Sequence, residues 1–407
     1  MKILKKITAL LLLLPILFVG CSLSKTARIM KKGEVVQKEF KVEIPFEYRI
    51  GLIAIKVEID GVEYDFMIDT GAPNVLSTEL AQKLQLIPEA SLKTSDSQGE
   101  HSKLEYVLVD QINIGGISFQ NTGAAVANLK ASNVISCIKI DGLIGANLMR
   151  KAIWEIDYEN QKITITNSLS SLDVPDVTKK IPFSQKISGT PQIEIDLSGQ
   201  KENYVTVDLG SNGDFDMSLS SYKKLLKNNT LTSTTFGYGS KSSGLYGLSK
   251  PDTIKYAIVP EMSFGDIELN NKIVSFHEDK SLLAGTNFFK NYRLIFDWFN
   301  EELIMIETKE YENTKFNNFG FSPNYHDNEI FIGFLFNQSS AKKAGLKLGD
   351  QIIEINGKDY SKVTLDGWCE ITEEKFSLED IDSISIKVSR DGEILTFTLT
   401  RSMILTL

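Results

Sequence analysis

Apolar and polar positions alternate in short runs along most of this 407-residue chain, with Gly-containing turns between the runs. A period of two predicts strands and hairpins rather than long helices. Val42 to Glu58 alternates in this way and meets Asp60-Gly61, a dipeptide that favours a tight hairpin turn. Val109 to Phe119 turns back at Gly115-Gly116, and Met262 to Leu269 at Gly265-Asp266. Trp154 to Ile165 and Phe296 to Ile306 read as two further hairpins. Helical spacing is brief, as at Thr78–Leu84 and Leu219–Leu226.

The pattern occurs twice. Tyr64-Asp65-Phe66-Met67-Ile68-Asp69-Thr70-Gly71-Ala72 is an apolar strand running into an Asp-x-Gly turn, and Tyr204-Val205-Thr206-Val207-Asp208-Leu209-Gly210-Ser211 is another. Ile44-Pro45-Phe46 precedes the first, as Ile181-Pro182-Phe183 precedes the second. Leu143-Ile144-Gly145-Ala146-Asn147 follows the first at nearly the distance at which Leu283-Ala284-Gly285-Thr286-Asn287 follows the second, and Asp157 and Asp297 then match. A repeat with one carboxylate per copy can build a site with two facing carboxylates. The expected fold is mainly β: two pseudo-symmetric lobes at 39–168 and 179–309, joined by a polar linker containing Pro175.

A third pattern fills 316–407. Phe319-Gly320-Phe321 leads into a strand from Glu329 to Phe336, then a short helix ended by Gly345, a Gly349-Asp350 turn, an alternating strand and the hairpin pair Asn356-Gly357. This run resembles the PDZ domains of exported bacterial proteases, an α+β module. The resemblance implies that an extended peptide or protein terminus adds as a strand, its carboxylate received near Phe319, Gly320 and Phe321.

Asp69-Thr70-Gly71-Ala72 with Leu143-Ile144-Gly145 resembles the aspartic proteases, retropepsin-like and pepsin-like alike, and the likeness extends over both copies. It implies β-barrel lobes, a catalytic pair Asp69 and Asp208, support from Thr70, Gly71, Gly210 and Ser211, and no cofactor or metal. Two carboxylates held close together share one proton; the ionised one takes a proton from water and the protonated one serves the substrate carbonyl. In that family the residue after each Asp carries a hydroxyl that bonds to the opposite lobe. Leu209 has none, which leaves Thr70 short of a partner and keeps open an inert, peptide-binding reading of the lobes. The loops Phe236–Gly244 and Ser95–His101 fall where the family has flap hairpins. Since the second lobe takes the place of a partner subunit, a monomer is expected.

The formal charge of −9 argues against nucleic acid and against polybasic membrane docking. Lysines followed by a short apolar run, at 1–20, read as an export signal, and Phe18-Val19-Gly20-Cys21 resembles the lipobox of bacterial lipoproteins. The resemblance implies lipidation of Cys21, a membrane-anchored exported protein, and a tether over 21–38. Cys137 and Cys369 fall in different expected domains and read as separate buried thiols. His101, His277 and His326 are scattered and receive no role.

Overall fold

The structure, a computed structural model, describes residues 25–406 except 97, 100, 279, 280, 379 and 380, so the signal segment and Cys21 lie outside the described residues. In the first lobe, strands β1 (Leu52–Ile59) and β2 (Val62–Asp69) pair antiparallel across Asp60-Gly61, both at positive φ as a two-residue hairpin turn needs. Next come β3 (Val75–Ser77), helix α1 (Thr78–Lys83), and the long hairpin β4 (His101–Ile114) and β5 (Ile117–Ala127), turning at Gly115-Gly116. Ser77 caps α1, its hydroxyl accepting from Leu80 N–H. Helix α2 (Asn133–Ile138) then leads to β6 (Gly142–Gly145), which pairs parallel with β2.

The second lobe repeats this course. Strands β7 (Pro191–Leu197) and β8 (Gln200–Asp208) form its hairpin, followed by β9 (Phe215–Ser218) and helix α3 (Leu219–Lys227). β10 (Thr234–Gly239), β11 (Asp252–Phe264) and β12 (Ile267–His277) come next, and β13 (Leu283–Gly285) pairs parallel with β8. Beneath both lobes lies a six-stranded sheet, three strands from each, in which Ile153–Asp157 and Tyr292–Asp297 pair at the centre. The repeated Ile-Pro-Phe segments supply its outermost strands, Lys41–Pro45 and Lys179–Pro182. A single apolar core runs through the two lobes, including Phe46 and Trp154 from the first and Phe183 and Trp298 from the second.

The C-terminal domain has its own core. Its strands are β14 (Phe321–His326), β15 (Glu329–Phe336), β16 (Gln351–Ile355), β17 (Ser383–Arg390) and β18 (Glu393–Thr400), with helix α4 (Leu365–Glu374) between β16 and β17. It is fastened to both lobes. β15 pairs with β10, so the second lobe's sheet continues into this domain. Cys369 of α4 is disulfide-bonded to Cys137 of α2 in the first lobe. The expectation of two separate thiols is therefore wrong: 232 residues of sequence separate them, but docking of the domain onto the first lobe brings them together.

The expected tether is corrected too. Residues 25–31 are helical, and Ile29 and Met30 are buried in an apolar cluster of the first lobe. Gly123 admits this segment, since a Cβ there would lie 2.4 Å from the Ile29 carbonyl oxygen. Glu34–Val35 adds a short strand to β5.

Candidate active site

Alternation places the two aspartates. On β8, Val205 and Val207 enter the core, so Asp208 faces the other way, towards the junction of the lobes; Ile68 does the same for Asp69 at the end of β2. Gly71 N–H and Ala72 N–H each donate to Asp69 Oδ1 at 2.9 Å, and Gly210 N–H donates to Asp208 Oδ1 at 2.9 Å. The glycines are required for space. A Cβ on Gly71 would stand 2.6 Å from Asp208 Cγ, and one on Gly210 2.4 Å from Asp69 Cγ. Each carboxyl thus lies against the opposite lobe's glycine, and the two aspartates meet on the pseudo-symmetry axis.

Removal from water raises both carboxyl pKa values. Asp69 is pushed well above the ordinary range by burial and then by the charge of Asp208, against the pull of the Gly71 and Ala72 N–H groups. Asp208 is pushed up to about 6 by burial, opposed by Gly210 N–H, its hydrogen bond with Asp69 and the Lys186 ammonium. Lys186 gave no signal in the sequence. It follows the strand pair Ser184–Gln185, and its Nζ reaches 3.4 Å from Thr206 Oγ1, two residues before Asp208.

Thr70 is completely buried, and its hydroxyl spans the lobes: Oγ1 donates to Val207 O at 2.6 Å and accepts from Leu209 N–H at 2.9 Å. The expectation that Thr70 lacks a partner is thereby overturned. Leu209, fully buried, contributes its side chain to the core and its backbone N–H to the grip. Its carbonyl accepts from Thr286 Oγ1 at 3.1 Å. Ser211 bonds within its own loop: its hydroxyl accepts from Gly213 N–H at 3.3 Å.

The Leu-Ile-Gly and Leu-Ala-Gly strands cross behind the Asp turns as expected. Gly145 pairs with Asp69 and Gly285 with Asp208. A Cβ on Gly145 would lie 2.1 Å from Pro73 C, and one on Gly285 2.4 Å from Gly213 O, so any side chain would push the turn away. Side chains complete the bracing in the first lobe: Asn74 Oδ1 accepts from Gly145 N–H, and Asn147 Oδ1 from Asn74 N–H. Backbone does so in the second, where Gly285 N–H donates to Asp214 O and Thr286 N–H to Ser211 O.

Both loops expected as flaps meet across the lobes. Ser242 Oγ donates to Gln98 Oε1 at 2.5 Å, Tyr246 N–H to Asp96 Oδ2 at 3.1 Å, and Tyr246 Oη lies 2.8 Å from Thr94 Oγ1. Leu245 and Tyr246 pack on the first lobe's apolar cluster, as does Ala72. Nearby, in the second lobe, Asp216 Oδ1 accepts from Ser275 Oγ and, at 2.9 Å, from His277 Nε2. Burial pushes the Asp216 carboxyl up, but His277, Ser275 and the Lys241 charge together hold it below the ordinary range. A histidine given no role in the sequence belongs to this cluster.

In the C-terminal domain, Phe319 is buried with the Arg401 guanidinium over its ring at 5.3 Å, and Phe321 opens β14 half-buried. Gly320 has φ +90°, where a Cβ would collide with Ser339. Its N–H already donates to Asn318 Oδ1 at 2.8 Å, so of the expected carboxylate-binding groups this one is occupied.

Comparison with protein families matches residues 55–148 to the aspartyl protease model and residues 309–376 to the PDZ domain model. No curated protein matches the chain. The first match lies wholly in the first lobe, and the second takes in β14, β15, β16 and α4. The chain contains an aspartyl protease domain and a C-terminal PDZ domain.

Proposed function

We propose that the chain is an aspartic endopeptidase that activates water between Asp69 and Asp208. The reciprocal contact of each carboxyl with the opposite lobe's glycine is the observation that carries this reading. Two acids so close titrate as a pair and hold one proton between them across the intermediate pH range. Lys186 breaks the symmetry, favouring charge on Asp208 and the proton on Asp69. Asp208 then takes a proton from the attacking water while Asp69 donates to the carbonyl oxygen, and the leaving amine is protonated as the tetrahedral intermediate collapses. The meeting flaps form a roof that lifts to admit an extended peptide and then shields the reacting bond from bulk water.

The Thr70 grip, completed by the Leu209 backbone N–H, supports this reading over an inert one. Incubation of the purified protein with a mixed peptide library should give products that a pepstatin-type inhibitor suppresses and that Asp69→Asn abolishes; an undiminished digest with Asp69→Asn would overturn the assignment. The PDZ domain is proposed to bind peptide or protein termini. An exported, lipid-anchored protein is proposed as well, supported by the lipobox-like segment and by the disulfide, which suits an oxidising compartment. Metabolic labelling with a fatty-acid analogue, lost in Cys21→Ser, tests the anchor.

A further inference from the structure

In a PDZ domain an incoming chain adds to a free strand edge beside a helix. Here that edge belongs to β14, which pairs with β15 on one side only, and the helix is α4. Tyr325 of β14 stacks on Trp368 of α4, with centroids 5.6 Å apart and planes 10° apart. The same end of the groove is covered by the protein itself. Asn133 Nδ2 of α2 donates to Tyr325 O at 3.0 Å, taking a main-chain acceptor on β14. Lys139 Nζ, just past α2, lies 3.2 Å from Asp366 Oδ1 of α4, and Cys137 is buried in the PDZ core alongside Trp368 and Ile371.

Of these ties, the Lys139–Asp366 pair is exposed on both sides and contributes little. One hydrogen bond from Asn133 adds a modest amount. α2 itself is rooted in the first lobe, with Ile138 in its apolar cluster and Arg49 bonded to the Ile138 and Lys139 carbonyls, so the disulfide is the covalent tie that holds α4 against it. Cys137 is buried and Cys369 only half-buried, so Cys369 is the more accessible of the two residues.

We propose that Cys137–Cys369 is a redox latch on the PDZ groove. Oxidised, it clamps α2 over the β14–α4 edge and shuts out peptide. Reduced, it lets α4 draw away from α2 and opens the edge to an extended chain with a free terminal carboxylate. The reductant is a dithiol: one thiolate attacks Cys369 Sγ and expels the Cys137 thiolate, and the second thiolate resolves the mixed disulfide. Two electrons pass to the cystine, both cysteines end as thiols and the dithiol ends as its own disulfide.

The test uses the chain as described, in an Asp69→Asn background so that no probe is cleaved and the result does not depend on the proposed catalysis. Fluorescein-labelled hexapeptides of randomised sequence, with free or amidated carboxy-termini, are titrated by anisotropy against three forms: oxidised protein, protein reduced with dithiothreitol, and Cys137→Ser/Cys369→Ser. Free-carboxylate peptides should bind the reduced and double-serine forms at least about tenfold more tightly than the oxidised form, and amidated ones should not. Hydrogen exchange should accelerate in β14 and α4 on reduction while β2 and β8 keep their protection. Equal binding in the oxidised and reduced forms, or none in either, would overturn the latch. So would exchange rising throughout the molecule, which would make the disulfide a structural staple.

Discussion

The two lobes share a backbone plan and differ in what their side chains do with it. In the first, Asn74 and Asn147 brace the Asp69 turn and Thr70 supplies a hydroxyl to the cross-lobe grip. In the second, backbone groups brace the turn and Leu209 fills the core. The faces beside the two aspartates differ in polarity as well. Val75 on β3 pairs with Leu143 and Ala125, whereas its counterpart Asp216 on β9 pairs with Leu283 and Ser275. Ala127 matches His277. One lobe offers an apolar wall against which the roof packs; the other carries the polar cluster and Lys186. The repeat thus preserved the geometry that brings two carboxyls together, while the charges around them became lopsided.

The largest effects fall on what both lobes retain. Asp69→Asn and Asp208→Asn should each lower kcat/KM by about 10^2–10^4-fold, because an amide neither takes the water's proton nor shares one. Full activity in Asp208→Asn alone would show that the second lobe had left the chemistry. Gly71→Ala and Gly210→Ala should be nearly as damaging, since the new methyl displaces the opposing carboxyl. Both alanine variants should remain folded by circular dichroism, as the crowded atoms belong to one side chain.

Next is the grip. Leu209→Thr would make the second lobe resemble the first, but it removes apolar volume and places a hydroxyl in the core. A loss of about 2–4 kcal/mol in urea unfolding is expected. Unchanged stability would mean that the core tolerates the hydroxyl and that the asymmetry at this position is incidental.

Leu209 also marks how far the sequence could be read. The two Asp-x-Gly turns, the glycine-bearing strands behind them and the hairpins were legible because each is a local pattern: an alternation, a turn dipeptide or a helix cap. What Leu209 packs against was not, nor was the backbone N–H with which it satisfies Thr70, because both depend on the opposite lobe. Lys186, Asp216 with His277, and the Cys137–Cys369 bond escaped for the same reason. Each is a contact between segments far apart in the chain, and none leaves a periodic trace. The segment read as a tether was misjudged because two apolar residues, Ile29 and Met30, suffice to dock a short helix once a neighbour offers Gly123.

The polar cluster should give a smaller change. Asp216→Val leaves His277 buried without its carboxylate, and the lost pairing should cost about 1–3 kcal/mol in thermal or urea unfolding. Adding Ser275→Ala and His277→Ala, which reproduces the first lobe's Val75, Ala125 and Ala127, should recover much of that loss, since the orphaned polar groups go too. If the triple variant is no more stable than the single one, the cluster is holding neighbouring structure and the match between the lobes is only one of backbone.

The smallest expected effect concerns the charge that tips the pair. Asp208 has its carboxyl pKa pushed up from the ordinary 3.8 to about 6, with Lys186 among the groups holding it down. Activity that requires an ionised Asp208 and a protonated Asp69 should be greatest at about pH 5–7. Lys186→Met removes a cation that favours the Asp208 carboxylate, so the acidic limb of the kcat/KM profile should move to higher pH. At pH 5 the rate should fall about two- to fivefold, with little change near pH 7. The same raised pKa fixes the sign for stability. Below the unfolded value the group is protonated in both states and costs nothing; between about pH 4 and 6 the folded state binds more protons than the unfolded one, so stability declines as pH rises and then levels off. Asp208→Asn, which has no charge to desolvate, should therefore match the wild type in Tm near pH 4 and exceed it at pH 7. A difference in Tm that does not vary across that range would show that desolvation is not what raises the Asp208 carboxyl.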